Sequence, residues 1–384
     1  MNKKSQLAEI HNSGKPYIIY KSNKGFDLYT NFSKKIILNK KNINSFLKKK
    51  SKYSNKNTDL YIGFFGYELL NNLIQIKIPK QKSINFPQGI FYKPEKKIFL
   101  KNNLNFKSKK ILSKEKFKIN INRNHYTKIF NKFKKKIKKG ETYQIKICTK
   151  YKTRAKINPL DFFSRLSKTN LAPEAFMIRD SNYSIISCSP ENLITKKGKD
   201  ISTKPIAGTV KKTKSLSKFK ALEYFRKNLK ETKEHNMIVD MERNDLSKIC
   251  KIGTVKLFKQ KIVEEYKDLF HYVSLIKGKL KKNIRNIDII KAMMPGGSVI
   301  GCPKINTLNL LNNQEKDNRN IYTGSFGYIK FNGDMRFNII IRSILNFRNI
   351  SEISVASGVV VDSNANNEFN ENYIKAKALI DLYK

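Results

Sequence analysis

The sequence predicts an α+β fold with antiparallel strand pairing, and three observations carry that prediction. Short apolar, strand-like runs occur along the chain, between segments whose apolar residues recur at three- and four-residue spacing. The stretch YTGSFGYIKF, then Asn332-Gly333, then DMRFNIIIRSIL reads as a hairpin, with Asn-Gly suited to a type I′ turn. Clusters of strands alternate with helices, and the hairpin is antiparallel, which points away from a doubly wound parallel sheet.

The elements follow in order. Residues 1–118 read as a short β-rich region, because PYIIY, KKIIL, DLYIGFFGYELL and KIFL are apolar runs separated by Lys, Asn and Gly. The Lys-rich, weakly patterned stretch 102–118 reads as a linker to a second region, 119–384. HYTKIFNKFKKKIKKG places Tyr126, Ile129, Phe130, Phe133 and Ile137 on one helix face, and Gly140 ends the helix. TYQIKICTKY is a strand; YSIISCSP and DISTKPIAGTV read as strands or strand ends. Residues 216–248 read as mostly helix, 306–311 as a helix after the Gly-rich loop PGGSVIGCPK, ISVASGVVV as a strand, and 366–383 as a final helix. No internal repeat is visible.

With 384 residues and 39% hydrophobic content, the chain can build a large core, in one big domain or two ordinary ones. The net charge of +49 invites a nucleic-acid reading. However, the charge is spread along nearly the whole chain, and Lys comes with many Asn and Ile, as A/T-rich codons produce. No recognition-helix motif or zinc-finger spacing accompanies it, so no dedicated nucleic-acid partner is expected. The different-class alternative is a basic nucleic-acid-binding protein that has lost catalysis, and it would need a decayed site. Cys148, Cys188, Cys250 and Cys302 are scattered without CxxC pairing, which suggests neither disulfides nor zinc and fits a reducing compartment. The N-terminus lacks an apolar signal core, and no run of about 18 apolar residues occurs, so a cytoplasmic protein with no membrane contact is expected.

Two Glu pairs carry the most chemistry. Glu231 and Glu234 lie in LKETKEHNMIVD, and Glu368 and Glu371 in NNEFNENYIKAKAL. Residues three apart share a helix face, so each pair can aim two carboxylates at one point. Four converging carboxylates repel unless a hard cation sits among them, and oxygen ligands suit Mg2+. Removing one negative charge is therefore expected to leave the metal-free fold as stable or more stable. Lys375, four residues past Glu371, can hold an anionic substrate beside the metal. The competing reading is two solvated helix faces.

Seven stretches in order carry a family resemblance: GETYQIKICTKY, CSPENLITKKGKDISTKPIAGT, EHNMIVDMERNDLSKICKIGTVKL, HYVSLIKGKL, PGGSVIGCPKI, YTGSFGYIKFNGDMRFNIIIRS and ASGVVVDSNANNEFNENYIKAKAL. They cover about residues 120–384, and YIGFFGYELL adds a weaker match before them. The chain resembles the chorismate-binding enzymes, which include the large subunits of anthranilate synthase and aminodeoxychorismate synthase and the isochorismate and salicylate synthases. The resemblance implies two stacked antiparallel sheets with helices outside, a duplicated-half architecture, and a Mg2+-dependent reaction on chorismate. It makes Glu234 and Glu371 the main metal ligands, with Glu231 and Glu368 beside them. His271 matches a histidine beside the ring, suited to acid-base steps near pH 7. Tyr322 and Arg342 match residues holding the enolpyruvyl carboxylate, for which the planar Arg fork is suited. Gly324 and Gly358 match glycines that let main-chain amides approach the substrate, and Lys375 matches a second anion contact. PIAGT supplies Ala207 and Gly208 to the substrate wall and Thr209 to the catalytic set. The chain departs from the pattern at Ile300, where Thr or Ser is usual, at Cys302, where Ala is common, and at Lys204, where Arg is usual.

Gln144 and Ala207 discriminate within the family. Members that add water carry a Lys base at the position of Gln144, and a neutral amide cannot deprotonate water; Gln there is typical of members that use ammonia. Ala207 replaces the nucleophilic Lys of many aminodeoxychorismate synthases, which favours anthranilate synthase. The short N-terminal region, the missing LLES-like motif, YQIKI and RFNIIIRS favour the aminodeoxychorismate branch instead. Both branches take ammonia from a glutamine amidotransferase subunit. No GxCxG-type nucleophile with a following His occurs here, so a separate partner subunit is expected.

Overall fold

The computed structural model describes residues 3–49, 51–79, 81–101, 115–169, 172–213, 215–266 and 269–384. The strands are β1 (Tyr17–Lys21), β2 (Gly25–Leu38), β3 (Leu60–Phe65), β4 (Gly89–Lys101), β5 (Lys118–Ile119), β6 (Gln144–Arg154), β7 (Glu174–Arg179), β8 (Tyr183–Ser189), β9 (Asn192–Lys197), β10 (Asp200–Lys204), β11 (Ile206–Lys211), β12 (Lys256–Glu265), β13 (Leu269–Lys279), β14 (Gly301–Cys302), β15 (Ser325–Lys330), β16 (Met335–Asn338), β17 (Ser343–Phe347) and β18 (Ile350–Val359). The helices are α1 (Lys3–Asn12), α2 (Ile43–Lys48), α3 (Tyr67–Leu73), α4 (Arg123–Lys138), α5 (Pro159–Thr169), α6 (Lys218–Lys227), α7 (Leu229–Ile249), α8 (Asn286–Met293), α9 (Lys304–Gln314) and α10 (Ala365–Ile380).

Fourteen of these strands pair antiparallel in one unbroken line: β6, β18, β17, β8, β7, β1, β2, β4, β3, β15, β16, β9, β10, β13; β5 and β14 pair with β6, and β11 and β12 with β13. Read outward from the β2–β4 contact, each arm is three pairs of consecutive strands followed by one long strand, β6 or β13. The halves are thus duplicated in space. They escape a repeat search because the chain visits the pairs of the two arms in different orders.

The long strands β2 and β4 turn the corner between the arms. Near Gly25 and Leu100 they pack with α1, α5 and the first arm; Leu38 and Phe91 pack with the second. Between these ends Asn31 takes a left-handed φ of 53°, the register slips between Phe32 and Lys34, and Pro94 stands opposite Phe32. A bulge beside a residue that cannot donate a hydrogen bond bends and twists a ribbon.

Folded back, the arms become two stacked layers with helices outside. Ile18, Tyr20, Phe176, Ile178 and Ile185 of the first meet Ile62, Phe64 and Phe326 of the second in a shared core, where the Phe176 and Phe326 rings stack 3.8 Å apart. Period-two alternation turns Tyr17 and Ile19 to the opposite face, under α1 and α5. The outer face of the second layer is covered by α2, α3, α7 and α8. Among the described residues no helix is long and apolar enough to cross a membrane.

Several expectations need correction. In YIGFFGYELL the strand ends at Phe65, and the rest is α3, started at Gly66. The expected hairpin exists as β15–β16, but it stops at Asn338, and SIL belongs to β17 in the other layer. Its turn is not type I′: only Gly333 has positive φ, at 87°, and its amide bonds to the Lys330 carbonyl at 2.9 Å. A tight turn closed by a left-handed glycine fits a three-residue loop. The α9 helix starts two residues earlier than expected, at Lys304. Of the expected linker, residues 102–114 lie outside the described residues.

Because Phe326 is fully buried between the layers, Phe326→Ala is expected to cost about 3–5 kcal/mol. Urea unfolding measures this; a loss confined to a few tenths would show that the layers do not depend on this contact.

Candidate active site

The cleft forms where the chain crosses between the two layers. After β8, residues 190–191 pass from the first layer to β9 in the second. After β16, residues 339–342 return to β17. The crossings run side by side, with the Ile339 amide on the Glu191 carbonyl at 3.1 Å and the Ser189 hydroxyl on the Ile339 carbonyl at 2.6 Å. Arg342 bends the return crossing with a left-handed φ of 50°. Glu191 and Arg342 thereby reach a cavity of about 220 Å³ that also takes in Lys146 of β6, Gly208 and Thr209 of β11, Glu234 of α7, Ser298, Tyr322, Ala356 of β18 and Lys375 of α10.

Each Glu pair occupies the N-terminal part of its helix. The Asn228 side chain caps α7 by accepting the Glu231 amide at 3.2 Å, and Asn364 caps α10 by accepting the amides of Asn366 and Asn367. The positive helix end favours the carboxylates in the first turns, Glu231 and Glu368. Glu234 Oε1 accepts two donors, Lys146 Nζ at 2.7 Å and Gln144 Nε2 at 2.8 Å. Glu368 is buried and accepts the Ser363 hydroxyl at 3.0 Å. Glu371 is half-exposed and paired with Lys375 at 2.6 Å. Glu231 abuts β11, since a Cβ on Gly208 would lie 3.0 Å from Glu231 Oε2.

Members of both pairs act on one charge, that of Lys146. Burial disfavours its charge, but Glu234, then Glu371 and Glu368, outweigh burial and hold the ammonium above its ordinary value. Burial opposes the Glu234 charge too; Lys146, followed by Gln144 and Lys375, reverses this and takes the carboxyl down to about 2. Carboxylates beside a buried amide are a donor set that fits a hard divalent cation. Their positions close on lysines and a serine, and among the described residues no three His, Cys, Asp or Glu side chains stand together as a metal site.

Other predicted residues find different reasons. His271 bonds through Nδ1 to the Thr209 hydroxyl at 2.8 Å, and Thr209 lines the cavity. Burial, followed by Arg342, takes His271 down to about 4, so the ring is neutral at pH 7, with one nitrogen carrying a proton and the other free to accept. Ala207 is buried beside Gly208. The Gly324 amide is bonded to the Ile321 carbonyl at 3.0 Å, and a Cβ there would lie 2.2 Å from the Phe65 carbonyl, so this glycine serves strand packing. Gly358 faces Lys146 across the β6–β18 ladder, and a Cβ there would lie 2.7 Å from Lys146 Nζ and 2.8 Å from Gln144 Nε2. Its missing side chain makes room for both groups. Ile300 is buried in an apolar cluster with Phe130 and Leu308. The nearby hydroxyl in the cavity is that of Ser298, which donates to Glu191 Oε1 at 2.8 Å. Lys204 pairs with Glu264.

Sequence reasoning missed Glu191, Ser298 and Lys146. Burial pushes the Glu191 carboxyl up to about 7, against the lowering influence of Ser298 and Lys146. Its signal was a carboxylate directly after Ser-Pro at a strand end. The signal for Lys146 was its spacing of two from Gln144, which puts both on one face of a strand.

The profile of the chorismate binding enzyme family matches residues 6–381. Aminodeoxychorismate synthase component 1 of Bacillus subtilis (strain 168) is 36% identical over 224 residues, 58% of this chain and 48% of that protein. The anthranilate synthase component I-like protein of Synechocystis sp. (strain PCC 6803) is 37% identical over 229 residues, 59% of this chain and 47% of its own. The chain thus spans about half the length of the curated relatives it matches. The structure of anthranilate synthase component I from Streptococcus pneumoniae TIGR4 superimposes with a TM-score of 0.77 at 26% identity, covering 95% of this chain and 92% of that one. The menaquinone-specific isochorismate synthase MenF of Escherichia coli shares the fold, with a TM-score of 0.79 at 16% identity, covering 100% and 92%.

For Glu234 the geometry argues against the expectation that neutralising a Glu leaves the metal-free fold as stable or more stable, because its carboxylate is the ion-pair partner of the shielded Lys146. Without added metal, Glu234→Gln is expected to lose about 1–3 kcal/mol, while Glu371→Gln, in a half-exposed pair, should change stability by about 0.5 kcal/mol or less. Denaturant melts of the two variants check the contrast, and equal effects would contradict it.

Proposed function

This chain belongs to the chorismate binding enzyme family, and from that premise we propose that it aminates chorismate with ammonia, as an aminodeoxychorismate synthase component I. The ammonia comes from a separate glutamine amidotransferase subunit, and the reaction depends on Mg2+. The observation that carries the ammonia reading is Gln144. Its side chain is buried, and Nε2 is committed to Glu234, which fixes the amide orientation because a carboxylate only accepts. Its carbonyl oxygen is buried without a hydrogen-bond partner. A buried orphan acceptor is costly and asks for a donor, and an ammonia N–H is one.

In this reading Glu231, Glu234, Glu368 and Glu371 are the side chains that would hold Mg2+, which supplies charge stabilisation at the ring carboxylate when bound. Arg342 and Tyr322 receive the enolpyruvyl carboxylate, and Lys375 provides a second cation. Gln144 Oε1 orients ammonia. Glu191, whose carboxyl keeps its proton up to about pH 7, hands that proton to the departing hydroxyl, which leaves as water while the new C–N bond forms. Neutral His271 holds Thr209 in place.

A second reading, anthranilate synthase component I, is favoured by Ala207. A methyl group cannot attack the ring covalently, so amination here proceeds by direct attack of ammonia. Mass spectrometry of the product from chorismate, Mg2+ and ammonium, with and without a lyase releasing 4-aminobenzoate, decides between the two. 4-Aminobenzoate only with the lyase is expected; anthranilate would select the second reading, and unchanged chorismate would refute both.

The role of Glu191 has its own signature. The raised carboxyl is protonated below about pH 7, so at constant free ammonia the rate is expected to fall as pH rises through that value. In Glu191→Gln the rate should drop by about 10²–10⁴-fold and lose this limb. A limb that persists in the variant would assign the proton to another group.

A further inference from the structure

We propose that Lys146 is a built-in cation that competes with the divalent metal for Glu234, and so sets how tightly this chain binds Mg2+; the proposal rests on reading the Glu pairs as metal ligands. A carboxylate oxygen has two lone pairs in its plane. At Glu234 Oε1 both are taken, by Lys146 Nζ at 2.7 Å and by Gln144 Nε2 at 2.8 Å. A metal reaching that oxygen must first displace one of these donors.

The pairing is built into the strand. Gln144 and Lys146 are two apart in β6 and share a face. The main chain at Lys146 is anchored, since its amide donates to the Ile300 carbonyl at 3.0 Å. Across the ladder Gly358, lacking a side chain, leaves space for the ammonium where it stands. Both partners are largely shielded, with side chains 14% and 22% exposed, so solvent screens the attraction little. After Glu234, Glu371 and Glu368 act most strongly on the Lys146 charge, which places one positive charge amid carboxylates assigned to a dication. An ammonium displaced by metal stays at the cavity wall with Arg342 and Lys375, where a substrate carboxylate can receive it.

The test is isothermal titration calorimetry of Mg2+ alone into the full chain, stripped of metal, in wild type, Lys146→Met and Lys146→Gln. The Gln variant keeps a hydrogen-bond donor without the charge, which guards against a packing defect in the Met variant. Both are expected to bind Mg2+ tighter than wild type by about tenfold or more, because a like charge a few ångströms away has been removed. Lys146→Arg should retain the wild-type affinity. Equal or weaker Mg2+ binding in both neutral variants overturns the competition while leaving the metal assignment intact. No Mg2+ binding in any of the proteins overturns the competition and the assignment of the Glu pairs together.

Discussion

Apolar contact between the two arms of one hydrogen-bonded ribbon is the constraint from which the rest of the molecule follows. Neither arm can bury its inner face alone. Folding back at the β2–β4 corner lets Phe176 stack on Phe326 and brings Ile62 and Phe64 against Ile18 and Ile178. Once the layers are stacked, the chain must cross between them. Those crossings, 190–191 and 339–342, become the walls of the cleft. The polar residues that line it are held by packing around them, which is how a large apolar core positions charged groups it would otherwise exclude.

Charge balance governs the cleft itself. Carboxylates are gathered at the positive ends of α7 and α10, and lysines from β6 and α10 answer them. The pairing is uneven. Lys375 and Glu371 are half-exposed, and their contact is weak in the way of surface pairs. Lys146 and Glu234 are shielded, so removing either leaves the other charge uncompensated in a poorly solvated place. The extreme basicity of the chain therefore has two aspects: most of its lysines are spread along the sequence, while this one is seated among the carboxylates of the cleft.

Much of the site was legible because its parts sit in regular elements. Two Glu pairs at spacing three announce a shared helix face, and Glu234 of one pair and Glu368 and Glu371 of the other all act on the charge of Lys146. Gln144 was legible as one residue of a strand, whereas Lys146 was not, because attention to single positions overlooks the period of two. Glu191 and the setting of Arg342 were hidden for another reason. They lie on crossings with no periodicity of their own, and only the stacking of the layers turns those segments inward. The Asn332-Gly333 turn shows the same limit: the dipeptide marks a turn, while the number of loop residues is decided by the strand register it must join.

The sequence alone determined the kind of fold, the helices carrying the Glu pairs and the family, because apolar periodicity and residue order are local properties written along the chain. Tertiary structure alone decided that one ribbon forms both layers, that Gly358 clears space for Lys146, and that Glu191 keeps a proton near neutral pH. Those outcomes depend on burial and on distances between residues far apart in sequence, and neither exists until the arms have closed on each other.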